Sequence, residues 1–335
     1  MDKIRIFDMP WHIGHQYEQL KFPWARFSWL KQWKREYSSA PRGDLTSMFE
    51  WTPYYEAGKY DVAILHLDQQ CLEAGIELLG KGMVYRHLNE VIKDIPKIVI
   101  MHGTPFNPEA QDPTGQPMTP EFMVEKVKQL IGDNYFVVNS HRAAVQWQIP
   151  NTKTIIHGMD KDEWFDLPKE PRAVTMISPA GMPSYYDRTF LDYVKEGLLE
   201  RDINHCHITV DWVAKTWDEY RNFLGRSLIY FNPTRESPMP RSRTEAMLSG
   251  ACVLTTPHQD ADTFIKDGEN GFIVPRNPEY VVNLIEKLIN NPQIALSIGQ
   301  AGKKTAQELF SWERYNKEWQ EYVHFVIEDY RSKHT

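Results

Sequence analysis

Long apolar runs are absent from this sequence. No segment approaches the roughly 18 consecutive apolar residues that a membrane-spanning helix requires. The first residues, MDKIRIFDMPWHIGH, also lack the apolar centre of a secretory signal peptide. We therefore expect a chain that does not cross a membrane.

Cysteine is scarce. Cys71, Cys206 and Cys252 are the three cysteines of the chain, and they stand far apart without any Cys-x-x-Cys pair. This spacing indicates neither a disulfide framework nor a zinc site. The expectation is a cytoplasmic protein without a metal ion and without a resident cofactor.

Positive charge is also in short supply. The 335 residues include 38 Lys and Arg against 45 Asp and Glu, which gives a net charge of -7. A general nucleic-acid-binding protein needs a basic face to neutralise phosphates, so this balance argues against a nucleic-acid partner. A hydrophobic content of 41% in a chain of this length is enough for two domains with a core each.

Short apolar runs are what the sequence has instead. The first half contains KIRIFDM, YDVAILHL, KIVIMHG, YFVVNS and KTIIHGM. Runs that are apolar almost throughout are typical of strands buried on both faces of a sheet. Helix-like segments lie between them; in TPEFMVEKVKQLIG, Thr119 can cap the helix, Pro120 suits its first turn and Gly132 ends it. The alternation predicts an α/β fold with a doubly wound parallel sheet.

The second half repeats the pattern, with AVTMIS, HCHITV, SLIYFN, CVLTT and GFIVP as its strands. The sequence therefore predicts two Rossmann-like domains that face each other across a cleft. We place the N-terminal domain at residues 1–166 and the C-terminal domain at residues 167–314, with the join in a charged stretch that prolines interrupt. The aromatic-rich segment 315–335 is predicted to be a helix that returns to the N-terminal domain.

One loop of the second half combines prolines, arginines and a glutamate. SPMPRSRTEAMLSG, residues 237–250, follows the predicted strand SLIYFN and leads into a helix that begins near Ser242. In a doubly wound sheet ligands bind beyond the carboxyl ends of the strands, and a helix N-terminus attracts anions. Arg241 and Arg243 add charge-assisted contacts to a phosphate. Glu245, one turn into the helix, can accept hydrogen bonds from a ribose diol.

Residues 232–275 extend this loop into a longer pattern. Glu245-Ala246-Met247 is followed by Gly250, by Thr255-Thr256 and by Asp267-Gly268-Glu269-Asn270-Gly271-Phe272. In this order the elements resemble the donor-nucleotide signature of GT-B glycosyltransferases, especially the retaining family 4 type, the glycosyl transferases group 1. The resemblance implies a GT-B fold and the transfer of a sugar from a nucleotide sugar to a saccharide or other acceptor hydroxyl, with retention and without a metal ion.

The resemblance also implies roles for residues around the loop. Glu245 is expected to hold the ribose, while Arg241 and Arg243 stabilise the departing diphosphate in place of a metal ion. The other residues expected to bind the donor are Ser237, Pro240, Ser242, Thr244 and Arg188. The family usually has another glutamate, which contacts the donor sugar, eight residues before the one that Glu245 matches; this chain has Ser237 there, and Glu236 is the displaced candidate. The family's Gly-Arg and Lys-Gly elements are missing, and Arg188 is a weak substitute.

The N-terminal half offers fewer signals. IVIMHGTPF ends a predicted strand at His102, where the family often has a histidine that reaches the donor sugar; the alternative is a buried histidine bonded to backbone. His12, Gly14 and His15, in the loop after the first strand, are acceptor-site candidates. Segment 21–37 has aromatic residues at helical spacing beside lysines and arginines. It is predicted to be the first helix of the domain, with contact to a membrane surface as the less favoured alternative.

Two further functions stay open beside glycosyl transfer. A nucleotide-sugar epimerase of the same fold would change its donor with no acceptor present. A non-catalytic protein that binds a nucleotide or a sugar would keep the scaffold, and the displaced glutamate and the missing Gly-Arg and Lys-Gly elements keep this alternative alive. The order and number of matched elements favour the transferase.

Overall fold

The chain forms two compact units. The computed structural model describes residues 2–11, 13–31, 42–72, 80–106, 115–176, 186–208 and 216–334. Unit 1 consists of Met1–Ser39, Asp44–Gly158 and Trp312–Thr335, and unit 2 consists of Ala40–Gly43 and Met159–Ser311. The domain boundaries at residues 166 and 314 that the sequence suggested stay predictions.

Unit 1 is built on a seven-stranded sheet. Its strands are β1 (Ile4–Asp8), β2 (Ala25–Leu30), β3 (Phe49–Thr52), β4 (Val62–Leu67), β5 (Lys97–Met101), β6 (Tyr135–Val138) and β7 (Lys153–Thr154). They lie in the order β3-β2-β1-β4-β5-β6-β7, and every neighbouring pair is parallel. The order changes direction between β1 and β4, which is where ligands bind in doubly wound sheets.

Four helices of unit 1 follow its strands: α1 (Ile13–Leu20), α2 (Gly80–Val91), α3 (Pro120–Ile131) and α4 (His141–Trp147). The end signals predicted for α3 are confirmed. The Thr119 hydroxyl accepts a hydrogen bond from the Phe122 N–H, Pro120 lies in the first turn, and Gly132 ends the helix with a φ of 53°. Helix ends are therefore well specified where a cap, a proline and a glycine agree.

Unit 2 is built on a five-stranded parallel sheet in the order β12-β11-β10-β8-β9, with β8 (Glu170–Met176), β9 (His205–Ile208), β10 (Ser227–Asn232), β11 (Cys252–Thr255) and β12 (Phe272–Ile273). Its helices are α5 (Arg188–Glu200), α6 (Trp217–Arg226), α7 (Arg241–Leu248), α8 (Ala261–Phe264), α9 (Pro278–Asn290) and α10 (Pro292–Leu309). The order changes direction between β8 and β10. The loop from β10 to α7 therefore leaves the sheet beside the expected ligand position.

The last helix, α11 (Trp312–His334), packs in unit 1. Its buried face joins a core cluster that also contains Phe27 and Trp29 of β2; that face consists of Tyr315, Trp319, Tyr322, Val323, Val326 and Ile327. Arg314 also donates to the carbonyl oxygens of Ile156 and His157, at 2.9 and 3.0 Å. Tyr315, Trp319 and Tyr322 of the C-terminal helix are therefore core residues of unit 1.

The helix predicted over residues 21–37 is wrong in its centre, where Ala25–Leu30 form β2 between β1 and β3. Phe27 and Trp29 are buried while Arg26 between them is exposed, so the two-residue alternation of a strand places the rings in the core. Residues 32–37 lie outside the described residues. The membrane-surface alternative thus loses the amphipathic helix on which it rested. None of the described helices is both long and apolar enough to span a bilayer.

Replacing Trp319 with alanine tests the packing of α11. The Trp319 side chain is 2% exposed, and its removal leaves a cavity, so we expect Trp319→Ala to lower the free energy of unfolding by about 3–5 kcal/mol. Urea denaturation followed by circular dichroism measures the change. Phe325→Ala on the same helix is the matched control, because that residue is 54% exposed and its loss should cost less than about 1.5 kcal/mol. Equal losses would contradict the packing of α11 in the core.

Candidate functional site

Helix α7 carries most of the predicted donor residues. It begins at Arg241, directly after Pro240, and no side chain caps its N-terminus. The backbone N–H groups of a first helical turn have no partner within the helix, and the helix dipole makes that end attractive to an anion. All residues of α7 are buried. Its polar side chains therefore lie in the interior of unit 2, where they need defined partners.

Glu245 lies one turn into α7 and is 5% exposed. Its Oε2 accepts a hydrogen bond of 2.6 Å from the Tyr220 hydroxyl on α6. Its Oε1 lies 3.6 Å from Nη2 of Arg42, whose guanidinium stacks over the Trp217 ring at 4.3 Å. Burial, followed by the neighbouring carboxylate, raises the pKa of Tyr220 well above its ordinary value, so the hydroxyl stays a donor. The carboxylate is thus held firmly through Oε2 and more loosely through Oε1.

Arg243 points into the interior of unit 2. Its Nη1 donates to Nε2 of His258 at 2.6 Å and its Nη2 to the Met239 sulfur at 3.3 Å, while the guanidinium lies 4.5 Å from the centre of the Phe264 ring. His258 Nε2 can accept because Nδ1 of the same ring donates to the Thr256 carbonyl at 2.7 Å. Burial lowers the pKa of Arg243 to about 9, which leaves it protonated at neutral pH.

The nearest charge that acts on Arg243 is that of Asp260, which raises the pKa of Arg243 from beyond ion-pair distance. No carboxylate of the described chain lies within ion-pair distance of it, and its Nε has no hydrogen-bond partner among the described residues. Burying a charge costs free energy unless an opposite charge or hydrogen bonds compensate for it. The guanidinium is therefore positioned by hydrogen bonds and by a ring contact rather than by an ion pair with a described carboxylate.

Ser242, Thr244 and Arg241 are brought together with Glu245 by α7, as the sequence predicted. Ser242 Oγ accepts a hydrogen bond of 2.7 Å from the Tyr230 hydroxyl, and both Thr244 and Arg241 are buried. Each of these side chains is thus in the interior of the unit at the start of one helix.

The remaining predicted donor residues lie on neighbouring segments. Ser237 lies beside Tyr186 and lowers the pKa of its hydroxyl against the larger raising effect of burial, while Glu236 accepts a bond of 3.5 Å from the Gln259 amide. Arg188 begins α5 with 59% of its side chain exposed and 3.8 Å from the Asp192 carboxylate. Arg188 is therefore a surface residue of α5, whereas Glu236 and Ser237 belong to the loop before α7.

Two residues of the donor signature have architectural roles. Gly250 follows α7 with a φ of +72°, and a Cβ there would lie 2.6 Å from Oδ1 of Asp166. The Asn270 amide donates to the Phe264 carbonyl and to the Thr305 hydroxyl, both at 2.9 Å. These contacts hold the connections that flank β11, so these two residues of the signature serve the backbone geometry of this unit.

Unit 1 has a second polar cluster at the carboxyl ends of β1, β4 and β5. His66 Nδ1 lies 2.8 Å from Nε2 of His102, and His66 Nε2 lies 3.1 Å from Oδ1 of Asp8. The other Asp8 oxygen accepts bonds of 2.7 Å from the Gln16 amide and from the Trp29 indole. Asp8 and His66 are fully buried. His102, predicted from the sequence, is thus one end of an Asp8–His66–His102 chain whose other members were not predicted.

A pocket of about 30 Å³ lies beside His102 in unit 1. Gln19 Oε1, Asn139 Oδ1 and Trp319 Nε1 belong to its lining residues, and these atoms are buried without a hydrogen-bond partner in the described structure. The described residues that line the pocket include no Lys, Arg, Asp or Glu. The pocket therefore combines apolar side chains, such as that of Ile100, with a few polar atoms that lack a partner.

The predicted acceptor-side residues lie partly beside this pocket. His15 lines it, with its ring 4.5 Å from the His102 ring. Gly14 and His15 belong to the first turn of α1, which corrects their predicted place in a loop; β1 ends at Asp8 and the helix already begins at Ile13, before both residues. His12 lies outside the described residues. Across the parts of the chain that are described, no group of three or more His, Cys, Asp or Glu side chains could hold a metal ion.

The hydrogen bond between Tyr220 and Glu245 can be measured by a double-mutant cycle. Tyr220→Phe leaves a buried carboxylate oxygen without its donor, so we expect a loss of about 1.5–3 kcal/mol in the free energy of unfolding. When Glu245→Gln is already present, Tyr220→Phe should lower the free energy of unfolding by less, because a neutral amide oxygen needs the hydroxyl donor less than a carboxylate does. Chemical denaturation of the two single variants and the double variant gives the coupling energy. Tyr280→Phe, at an exposed position of α9, is the control; additive losses would show that the bond contributes nothing.

Part of the chain matches a known family. Residues 190–305 match the profile of Glycosyl transferases group 1. The Spore coat protein SA of Bacillus subtilis (strain 168) is 24% identical over 155 residues, which is 44% of this chain and 40% of that protein. The Uncharacterized glycosyltransferase MJ1069 of Methanocaldococcus jannaschii is 33% identical over 79 residues, 23% of this chain and 20% of that protein. The matched region thus spans less than half the length of these curated relatives.

Solved structures resemble the chain over nearly its whole length. Sucrose-phosphate synthase from Thermosynechococcus elongatus aligns with 98% of this chain and 100% of its own at a TM-score of 0.66 and 12% identity. HepE of Anabaena, in its complex with UDP and glucose, aligns over 96% and 99% at a TM-score of 0.65 and 15% identity. Identities this low show the fold alone. The chain therefore has the GT-B glycosyltransferase fold, and its residues 190–305 resemble the Glycosyl transferases group 1 family.

Proposed function

We propose that this protein transfers a sugar from a nucleotide-diphosphate sugar to an acceptor hydroxyl. The observation that carries the proposal is the position of Glu245, a buried carboxylate one turn into an uncapped helix that follows β10. This glutamate lies within the residues 190–305 that match Glycosyl transferases group 1. UDP and glucose, which the HepE complex contains, are the fragments that such a donor would supply.

The ribose of the donor would bind at Glu245. The Oε1 contact with Arg42 is long, 3.6 Å, and a ribose diol that donates to Oε1 would replace it with shorter bonds. The Tyr220 hydroxyl keeps Oε2 in place throughout. Ser237 and Pro240, in the loop before α7, would lie along the rest of the donor.

The diphosphate would bind at the start of α7. Its uncapped backbone N–H groups and the dipole favour an anion there, and Arg243 supplies a buried positive charge that burial leaves protonated at neutral pH. Arg241 begins the same helix and adds a second guanidinium. These groups would stabilise the charge that develops on the leaving diphosphate without a metal ion.

The reaction breaks the bond between the anomeric carbon and the diphosphate oxygen and forms a bond from that carbon to the acceptor oxygen. The nucleoside diphosphate leaves with the bonding electron pair, and the acceptor proton is released to the diphosphate or to solvent. We propose retention of configuration, with Glu236 facing the sugar and with Arg188 outside the chemistry. The free thiols of Cys71, Cys206 and Cys252 fit a reducing compartment such as the cytoplasm.

The first test is binding of nucleotides to the wild type and to Glu245→Ala. Loss of a charged acceptor for the ribose should raise the Kd of the preferred nucleoside diphosphate by about 10- to 100-fold, measured by isothermal titration calorimetry against UDP, GDP, ADP and CMP with and without Mg²⁺. Glu269→Ala is the matched control, because Glu269 is an exposed carboxylate of the same signature. An unchanged Kd in Glu245→Ala would remove the central assignment.

Incubation with the donor alone separates the transferase from its alternatives. An epimerase would convert the nucleotide sugar with no acceptor present, and a non-catalytic binding protein would bind it without turnover on any acceptor. A transferase releases nucleoside diphosphate in step with the glycosylated acceptor. Release that depends on an added saccharide therefore supports the proposal.

Arg243→Met tests the phosphate site. Methionine fills an apolar space of similar length and removes a buried charge, so the free energy of unfolding without ligand should stay within about 1 kcal/mol of the wild type or rise. The Kd for the nucleoside diphosphate should increase by about 10- to 100-fold, because a charge-assisted contact is lost. Arg226→Met, an exposed arginine at the end of α6, is the control. A wild-type affinity in Arg243→Met would show that this guanidinium does not meet the phosphate.

A further inference from the structure

The Asp8–His66–His102 chain crosses the switch point of the sheet in unit 1. Asp8 ends β1, His66 lies near the end of β4 and His102 follows β5, and these strands are neighbours. The two links measure 3.1 Å, from Asp8 Oδ1 to His66 Nε2, and 2.8 Å, from His66 Nδ1 to His102 Nε2. A polar chain in this position lies where a doubly wound sheet binds its ligand.

The surroundings of Asp8 fix the carboxylate as an acceptor. Gln16 Oε1 accepts the Trp11 backbone N–H at 2.6 Å, so the amide nitrogen of Gln16 must face Asp8, to which it donates at 2.7 Å. The Trp29 indole donates to the same oxygen at 2.7 Å. A carboxylate oxygen that is surrounded by N–H donors acts as an acceptor. The oxygen that faces His66 is therefore an acceptor as well.

An acceptor at Asp8 determines the tautomer of both rings. His66 Nε2 must carry the proton that is donated to Asp8, which leaves His66 Nδ1 as an acceptor in the neutral ring. His102 Nε2 must then carry the proton that is donated to His66 Nδ1. Nδ1 of His102 is consequently an acceptor. The indole of Trp11 stacks against the rings of both histidines, at 5.9 and 5.5 Å, and holds their planes.

The pocket beside His102 suits a hydroxyl group. Its unpartnered atoms are two carboxamide oxygens, of Gln19 and Asn139, and one N–H donor, of Trp319. A hydroxyl both donates and accepts, so it can bond the indole and one of the oxygens at the same time. The described lining has no Lys or Arg for an anion.

We propose that Asp8 and His66 are positioning residues that hold His102 in its Nε2–H tautomer, so that Nδ1 of His102 accepts a hydrogen bond from a substrate hydroxyl. The inference rests on the proposed function, because a sugar or saccharide acceptor is the source of that hydroxyl. Asp8 acts only through the two rings and touches no substrate. The arrangement resembles, in its logic, the carboxylate that orients the histidine of a hydrolase triad.

The tautomers can be read directly by long-range ¹H–¹⁵N correlation spectra of the histidine side chains near pH 8, without any substrate. The wild type should show His66 and His102 both protonated at Nε2 and unprotonated at Nδ1. His102 protonated at Nδ1 would overturn the proposal with no variant needed. Assignment by His66→Gln and His102→Gln spectra identifies the two rings.

Asp8→Asn should move the ring proton of both His66 and His102 from Nε2 to Nδ1. The amide oxygen of Asn would take the bonds from Gln16 and Trp29, and its NH₂ would face His66, so His66 Nε2 becomes an acceptor and its Nδ1 a donor. His102 then receives that proton bond at Nε2 and is protonated at Nδ1. Asp61→Asn, a carboxylate of unit 1 that pairs with Arg5, is the matched control and should change neither ring. An unchanged His102 tautomer in Asp8→Asn would overturn the proposal.

His66→Gln is the conservative rescue. Its amide can donate to Asp8 and accept from His102, so His102 should keep its proton on Nε2, unlike in Asp8→Asn. In a transferase assay, kcat/KM should fall by roughly 10- to 100-fold in Asp8→Asn and by less in His66→Gln. If Asp8→Asn changes the tautomers as expected but the protein shows no transfer activity, the Asp8–His66–His102 contacts are supported and the proposed function is rejected. If the protein transfers sugar but its histidine tautomers stay the same in Asp8→Asn, the proposed function is supported and the positioning role of Asp8 is rejected.

Discussion

A carboxylate taken out of water needs donors, and each unit of this chain holds such a carboxylate near the point where its strand order changes direction. In unit 1 it is Asp8 at the end of β1, with the Gln16 amide and the Trp29 indole on one oxygen. In unit 2 it is Glu245 on the helix after β10, with the Tyr220 hydroxyl on one oxygen. Because burial without donors would cost several kcal/mol, the elements that supply them must be in place before either site exists.

In both cases one carboxylate oxygen is fixed by buried donors and the other faces a weaker or exchangeable partner. Asp8 uses its second oxygen to orient His66, and Glu245 has its second oxygen 3.6 Å from Arg42. Such an arrangement fixes the direction of the working oxygen at no entropic cost when a ligand arrives. The common physical requirement explains why donors from separate segments of the sequence converge on each group.

Much of the fold could be predicted because its strands are short apolar runs separated by helices with clear ends. Helix α3 shows this best, since a cap, a proline and a glycine all agree. Strand β2 could not be predicted from the same pattern: its residues Phe27 and Leu30 fit a helical spacing, and only the burial of Phe27 and Trp29 around the exposed Arg26 shows the strand period. Strands β7 and β12 contain two residues each, which are too few for a sequence pattern to define where the strands begin and end.

The site was predictable only in part, because the sequence gives the spacing of residues along the chain but not the direction in which each side chain points. Glu245 was found from its surroundings in the signature, whereas the inward direction of Arg243 depends on Met239 and His258, which the pattern does not mark. His66 did leave a signal, a single polar residue in the otherwise apolar strand VAILHL. Its partner Asp8 is 58 residues away, so only the strand order could join them.

The residues of the matched signature have different roles. Gly250 and Asn270 serve the backbone of unit 2, so they would persist in any protein that kept this architecture, with or without a ligand. Arg243 is different, because burial disfavours its charge and Asp260 offsets that only from beyond ion-pair distance, so the fold alone would be better served by an apolar side chain. In a protein that had lost its ligand, this buried charge would lower the stability of the fold without any gain in binding. The buried guanidinium beside an uncapped helix start therefore favours a chain that still binds an anion over one that keeps only the shape.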